Sequence, residues 1–170
     1  MNHLLYKPLL ITSITASSFV AGCQLSLSYV SLPMILGQQD LPERTALSQY
    51  KTLFLRGFHL CPMPSIFSAV CCISNAAIIY YKHRQLTPQI SRMVLAASLI
   101  IGLIPYTLAF IVPTEEKLLK KGAKLANEKQ ESTSIASKEE TRQMMRKWNV
   151  LNYGRTLFPI AGVLVAWTLW

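Results

Sequence analysis

Along this chain, apolar residues neither recur at the spacing of one helix face nor alternate as in a half-buried strand. They lie in long blocks separated by short charged stretches. Four blocks, about 8 to 36, 54 to 81, 90 to 113 and 149 to 170, are long enough to cross roughly 30 Å of hydrocarbon at about 1.5 Å per residue. A spanning segment must satisfy its own backbone, and the alternating signal of a membrane barrel is missing. The pattern therefore predicts an all-α integral membrane four-helix bundle, a single domain over 1–170 with a polar loop at 114–148.

The first block stays apolar for too long to be a signal peptide and is read as a retained helix. Within it Ser18, Gly22 and Ser26 recur every fourth residue, which predicts a face of small side chains that a neighbouring helix can approach closely. Tyr29 and Pro33 extend that face into a polar, cavity-lining end. The second block opens with LRGFHLCPMP, where Pro62 and Pro64 each lack an N–H and predict a loop or short 3₁₀ turn. If that stretch is helical, Arg56, His59 and Met63 share a face near a membrane boundary. Deeper in, Ser68, Cys72 and Asn75 share another, and Asn75 needs a hydrogen-bond partner there.

The basic loop YKHRQLTPQISR leads to the third block, in which Pro105 predicts a kink and Pro113 the exit. In the polar stretch that follows, NEKQESTSIAS has the composition of a disordered loop. Ser137 followed by Glu140 is a capping-box pattern, predicting a helix that runs through TRQMMRKW into the last block. Such a helix has roughly 33 residues and a length of about 50 Å, and projects beyond the bilayer.

Composition narrows the function. The chain is 51% apolar, yet carries 17 Lys and Arg against 8 Asp and Glu. The basic residues flank the apolar blocks and mix with acids, so lipid headgroups rather than nucleic acid account for them. The loop after the second block is purely basic, which favours a cytoplasmic placement for it, whereas the positive-inside rule counts basic residues and leans towards a cytoplasmic 114–148 loop. Cys23, Cys61, Cys71 and Cys72 contain no CxxC and read as buried packing rather than redox or zinc chemistry. No carboxylate lies inside any block, which leaves proton pumping and cation transport without their usual acidic site. His3, His59 and His83 lack metal-ligand spacing, and no glycine-rich nucleotide fingerprint occurs, so no cofactor is expected. A small-residue face would permit a homo-oligomer if the bundle did not consume it.

The last block carries the most specific signal. At about 100° per residue, Trp148, Asn152, Arg155 and Pro159 fall near 0°, 40°, −20° and 20°, a single narrow stripe. A snorkelling Arg and an aromatic-belt Trp would be an ordinary interfacial anchor. Asn152 cannot snorkel far and shares their face, which favours a polar pocket facing the bundle. A cationic, aromatic-lined pocket near a membrane surface suits a flat, apolar, phenolic guest.

W-x3-N-x2-R in the last block, with PYT followed by PTxxKL at the end of the third and G-F-x3-P-x-P opening the second, resembles the anthrone oxygenase family of four-span membrane proteins. The resemblance covers most of the chain except Lys117 to Lys147. It implies a cofactor-independent monooxygenase that uses O2 to convert the methylene of a hydrophobic polycyclic anthrone into an anthraquinone carbonyl, in polyketide secondary metabolism. A multi-pass protein of the endoplasmic reticulum or another endomembrane is the expected setting. Carried over by residue, Arg155 would stabilise the enolate oxygen, Asn152 would donate to a phenol or orient the peroxide, and Trp148 and Tyr106 would stack on the rings. His59 is the candidate base because imidazole titrates near working pH. Tyr29, Thr107 and Thr114 would contact substrate, with Lys117 at the mouth. Where the family often has Asn after PT, this chain has Glu115. Two other readings are a membrane protein that binds a hydrophobic metabolite or lipid, or assists a partner enzyme, and a small transporter; for the latter no internal repeat is seen.

Overall fold

A computed structural model describes residues 3–127 and 135–169 and consists of four helical rods. The first rod is α1 (His3–Ser26), a π-helical turn π1 (Leu27–Ser31) and α2 (Leu32–Gly37). The second is α3 (Glu43–Leu60) and α4 (Pro62–His83); the third is α5 (Pro88–Tyr106), π2 (Thr107–Ile111) and α6 (Val112–Asn127); the fourth is α7 (Ile135–Trp167). Each rod packs on its sequence neighbours and the fourth closes on the first. All four are long and apolar enough to span a membrane, so this is an all-α, multi-pass membrane bundle.

The rods outrun the bilayer at one end. The second and third are 41 and 40 residues long, about 60 Å against about 30 Å of hydrocarbon. The predicted polar loop 114–148 is consequently much shorter than its sequence implies. Helix α6 continues the third rod to Asn127, and α7 begins at Ile135 and runs unbroken for 33 residues. Of the stretch expected to be disordered, residues 128–134 lie outside the described residues, while Ile135 to Ser137 are helical.

Ser137 does not cap α7. Its hydroxyl donates instead to the carboxylate of Glu43, at 3.2 and 3.3 Å. Glu43 also accepts from Thr141 and pairs with Lys121 at 3.2 Å, and Lys121 reaches Glu140 at 2.8 Å. Glu43 is buried, and this cluster ties α3, α6 and α7 together outside the apolar spans. A second core sits beside it, where Leu32, Leu47, Tyr50, Ile111, Leu118 and Trp148 meet.

Within the spans the prolines act mildly. Pro62 begins α4, where its missing N–H would have been unpaired anyway. The second rod bends at the single residue Cys61, with no 3₁₀ turn or loop. Each π turn ends two residues before a proline, Pro33 or Pro113. Leu32 N–H donates to Leu27 O, and Val112 N–H to Thr107 O, so each turn is closed by a bond five residues back. Arg84, in the left-handed region at φ 57°, ends α4.

The small-residue face of the first rod lies elsewhere than the sequence predicts. Ser18, Gly22 and Ser26 point outward, and nothing lies within 4 Å of where a Cβ on Gly22 would be. The packed face is Ser13, Ser17, Gln24 and Ser28, all fully buried. Ser13 and Ser68 exchange hydroxyl bonds at 2.7 to 3.0 Å, and Ser17 donates to Pro159 O at 3.3 Å. Asn75 finds its partner in Tyr6 O at 3.2 Å. Of two small stripes, the one turned inward is the one whose serine hydroxyls meet complementary groups on neighbouring rods.

Two substitutions test this packing. Ser13→Leu should abolish recovery of folded protein from mild detergent, whereas Ser18→Leu should leave the melting temperature within a few degrees. Glu43→Ala, which removes a buried carboxylate and takes the shared acceptor from Ser137, Thr141 and Lys121, should destabilise the bundle by about 2–4 kcal/mol in thermal melts.

Candidate functional site

The stripe on α7 faces the bundle interior. Trp148, Asn152 and Pro159 are buried and Arg155 is half-buried. Asn152 holds this arrangement. Its Nδ2 donates to Gln24 O at 3.1 Å and to Ser28 Oγ, and its Oδ1 accepts from the guanidinium of Arg155. Ser28 sits in π1, so the widened turn presents both an acceptor and a cavity wall to α7. Helical side chains lean towards the N-terminus, which carries the Arg155 head group back towards Trp148.

Beside this stripe lies a cavity of about 320 Å³, within the range of small-molecule sites. Its walls are mainly apolar, with Leu27, Phe54, Phe58, Leu103, Ile104 and Leu108 contributing. Gly57 permits the close approach of the first two rods there, since a Cβ would stand 2.8 Å from Leu27 Cδ1. The polar lining is concentrated in Thr107, Glu115, Trp148 and Arg155. Arg155 and Glu115 are oppositely charged, yet no ion pair within 4 Å joins them among the described residues.

Several buried donors at this end have no protein partner: Arg155 Nε, Trp148 Nε1 and the hydroxyl of Tyr50. Tyr50 packs edge-on against Trp148 at 5.4 Å and 87°. An unmet buried donor costs about 1–3 kcal/mol. The combination of apolar walls with unsatisfied N–H groups at one end suits an apolar guest that carries hydrogen-bond acceptors.

The structure brings Arg155, Trp148 and Thr107 to the cavity. It does not bring the remaining sequence candidates there. Asn152 stands one step behind, its amide committed to Gln24, Ser28 and Arg155, so it positions the cation and has no donor left for a phenol or peroxide. The Tyr106 hydroxyl donates to Leu151 O at 3.3 Å, and its ring packs between Phe110 and Phe158 at 5.1 and 5.3 Å. It therefore fastens the third rod to the fourth over Gly154, where a Cβ would collide with it, rather than stacking on a guest. Thr114 is buried but outside the lining, and Lys117 is exposed.

Tyr29 is 76% exposed, because the turn that directs Leu27 and Ser28 inward directs Tyr29 out. His59 is also exposed and does not line the cavity. On α3 it lies about 140° from Phe54, so it cannot share the face that Phe54, Gly57 and Phe58 give to the cavity.

Sequence reasoning missed Tyr50 and the cavity walls on α3. Leu47, Tyr50 and Phe54, at i, i+3 and i+7, were the available signal, hidden in a stretch whose polarity reads as a link. Glu115 was visible only as a departure from a family pattern. Among the described residues, no three His, Cys, Asp or Glu converge as metal ligands.

A family model described as anthrone oxygenase matches residues 50–165. The anthrone oxygenase gedH of Aspergillus terreus is 31% identical over 85% of this chain and 87% of its own length. The anthrone oxygenase AgnL2 of Paecilomyces divaricatus is 24% identical, with 91% and 90% covered, and an anthrone oxygenase of Claviceps purpurea is 26% identical, with 93% and 86% covered. No solved structure matches the chain. Relatives aligned over most of their lengths and a family match spanning most of the second, third and fourth rods agree: this chain belongs to the anthrone oxygenase family.

Proposed function

We propose that this protein is a membrane monooxygenase that converts the central methylene of an anthrone to the carbonyl of an anthraquinone with O2, in polyketide secondary metabolism and in an endomembrane such as the endoplasmic reticulum. The observation that carries this reading is the composition of the cavity, apolar along its walls and ended by a cation with unpaired N–H donors. A fused tricyclic phenol is flat and apolar, with oxygen acceptors at its edges. Its membrane solubility suits a binding site built between membrane-spanning rods.

The substrate supplies the electrons itself. Loss of a methylene proton gives an anthrolate, whose charge spreads to the oxygen across the central ring. Arg155, with the indole N–H of Trp148, receives that oxygen in this reading. A preorganised donor in a dry site stabilises developing charge far more than the same donor in water. The anthrolate transfers an electron to O2, and recombination forms the carbon–oxygen bond. The apolar walls keep competing water from the anion.

Oxygen uptake by purified protein in nanodiscs, with emodin anthrone and matched quinone formation after metal removal, tests this. Wild-type turnover should exceed the spontaneous rate, and Arg155→Ala should lower kcat by about 10²–10³-fold. Arg155→Lys should recover little, since an ammonium lacks the planar fork that Asn152 grips. No uptake above background from folded wild-type protein would remove the reaction from the account. His59→Ala, outside the cavity, should keep kcat and KM within about twofold of wild type, as expected for a surface position. Asn152→Ala should reduce turnover by losing the hold on Arg155, and should lower the melting temperature as well.

A further inference from the structure

The reaction proposed above needs a group to accept the methylene proton, and the position of His59 leaves that role open. One lining residue meets its requirements. Glu115 is only 6% exposed and is the sole carboxylate in the cavity wall. Its neighbour Glu116 is exposed and pairs outward with Lys120 at 3.0 Å. Among the described residues the Glu115 carboxylate forms no hydrogen bond and no ion pair. The charged and titratable groups that face it are Arg155 from α7, Tyr50 from α3 and, further along the same wall, Cys61 at the bend of the second rod.

A buried carboxylate beside a buried guanidinium normally closes into a salt bridge, because isolation costs each ion its hydration. Here Asn152 holds Arg155 on its own helix, and the cavity lies beside both charged groups. In an anthrone the acidic methylene and the carbonyl oxygen stand at opposite ends of the central ring. A base and a cation that served both ends of the ring would have to remain apart, and no contact within 4 Å closes this pair among the described residues.

Resting on the oxygenase reading, we propose that Glu115 is the catalytic base, taking the methylene proton while Arg155 receives the charge at the far oxygen. The C–H bond breaks to the carboxylate and its electron pair enters the ring system. After O2 adds at that carbon, the carboxyl returns the proton to the peroxide. The second methylene proton then leaves with O–O cleavage, giving the carbonyl and water. In balance, CH2 and O2 become C=O and H2O, with carbon losing four electrons and oxygen gaining them.

The test compares ordinary and methylene-deuterated emodin anthrone in nanodiscs for wild type, Glu115→Gln, Glu115→Asp and Glu115→Ala, with binding of the quinone product followed by fluorescence quenching. Glu115→Gln should lose about 10²–10⁴-fold in kcat with KM and product binding nearly unchanged. Glu115→Asp should retain part of the rate, and added formate should restore part of it to Glu115→Ala. Wild-type turnover with a primary isotope effect that survives Glu115→Gln intact would overturn the base while leaving the oxygenase standing. Loss of product binding together with turnover would make Glu115 structural and overturn it too. No wild-type turnover would overturn the reaction itself, and the base with it.

Discussion

A guanidinium inside a membrane bundle must be held or it will leave, and here the hold is Asn152. One amide joins the backbone of α1, the hydroxyl of Ser28 in π1 and the head group of Arg155. That single side chain ties the first rod to the fourth and fixes one end of the Arg155 guanidinium. The unmet Nε of Arg155 and the unpaired indole N–H of Trp148 have chemical value because no protein group within hydrogen-bond reach satisfies them.

The rest of the bundle serves this arrangement at two levels. Within the bilayer, short side chains and hydroxyl exchange, as between Ser13 and Ser68, let the rods come close without a hydrophobic driving force. Beyond it, the prolonged rods form a second packed layer through Tyr50, Leu118 and Trp148, pinned by the buried Glu43. The cavity sits at the junction of the two layers. Both π turns lie there as well, and their first residues, Leu27 and Thr107, are both lining residues. A π turn widens the helix and shifts the side-chain register by a fraction of a turn, which suits a site that needs walls without filling the space between them.

The hydropathy blocks, the long last helix and the inward stripe of Trp148, Asn152 and Arg155 were legible because each rests on local rules: span length, helical period and the cost of polar groups in hydrocarbon. Three expectations failed for a shared reason. Ser18, Gly22 and Ser26 had the right spacing but the wrong neighbours, and His59 had the right chemistry on the wrong side of α3. Ser137 had the signature of a cap, yet a buried carboxylate 94 residues away claimed it.

By itself, then, the sequence determined that the chain crosses a membrane as helices, and that its last helix brings a cation, an amide and an indole to one face. Apolar length and a 3.6-residue period are properties of a segment and need no partner to be read. Only the tertiary structure decided what those groups meet. It turned Asn152 from a ligand donor into the support of Arg155, moved Tyr106 from the guest to a helix clasp, and set Glu115 beside Arg155 in the cavity wall without pairing them. Such relations depend on which rods pack together and at what rotation, and that is set by long-range contacts that no single segment records.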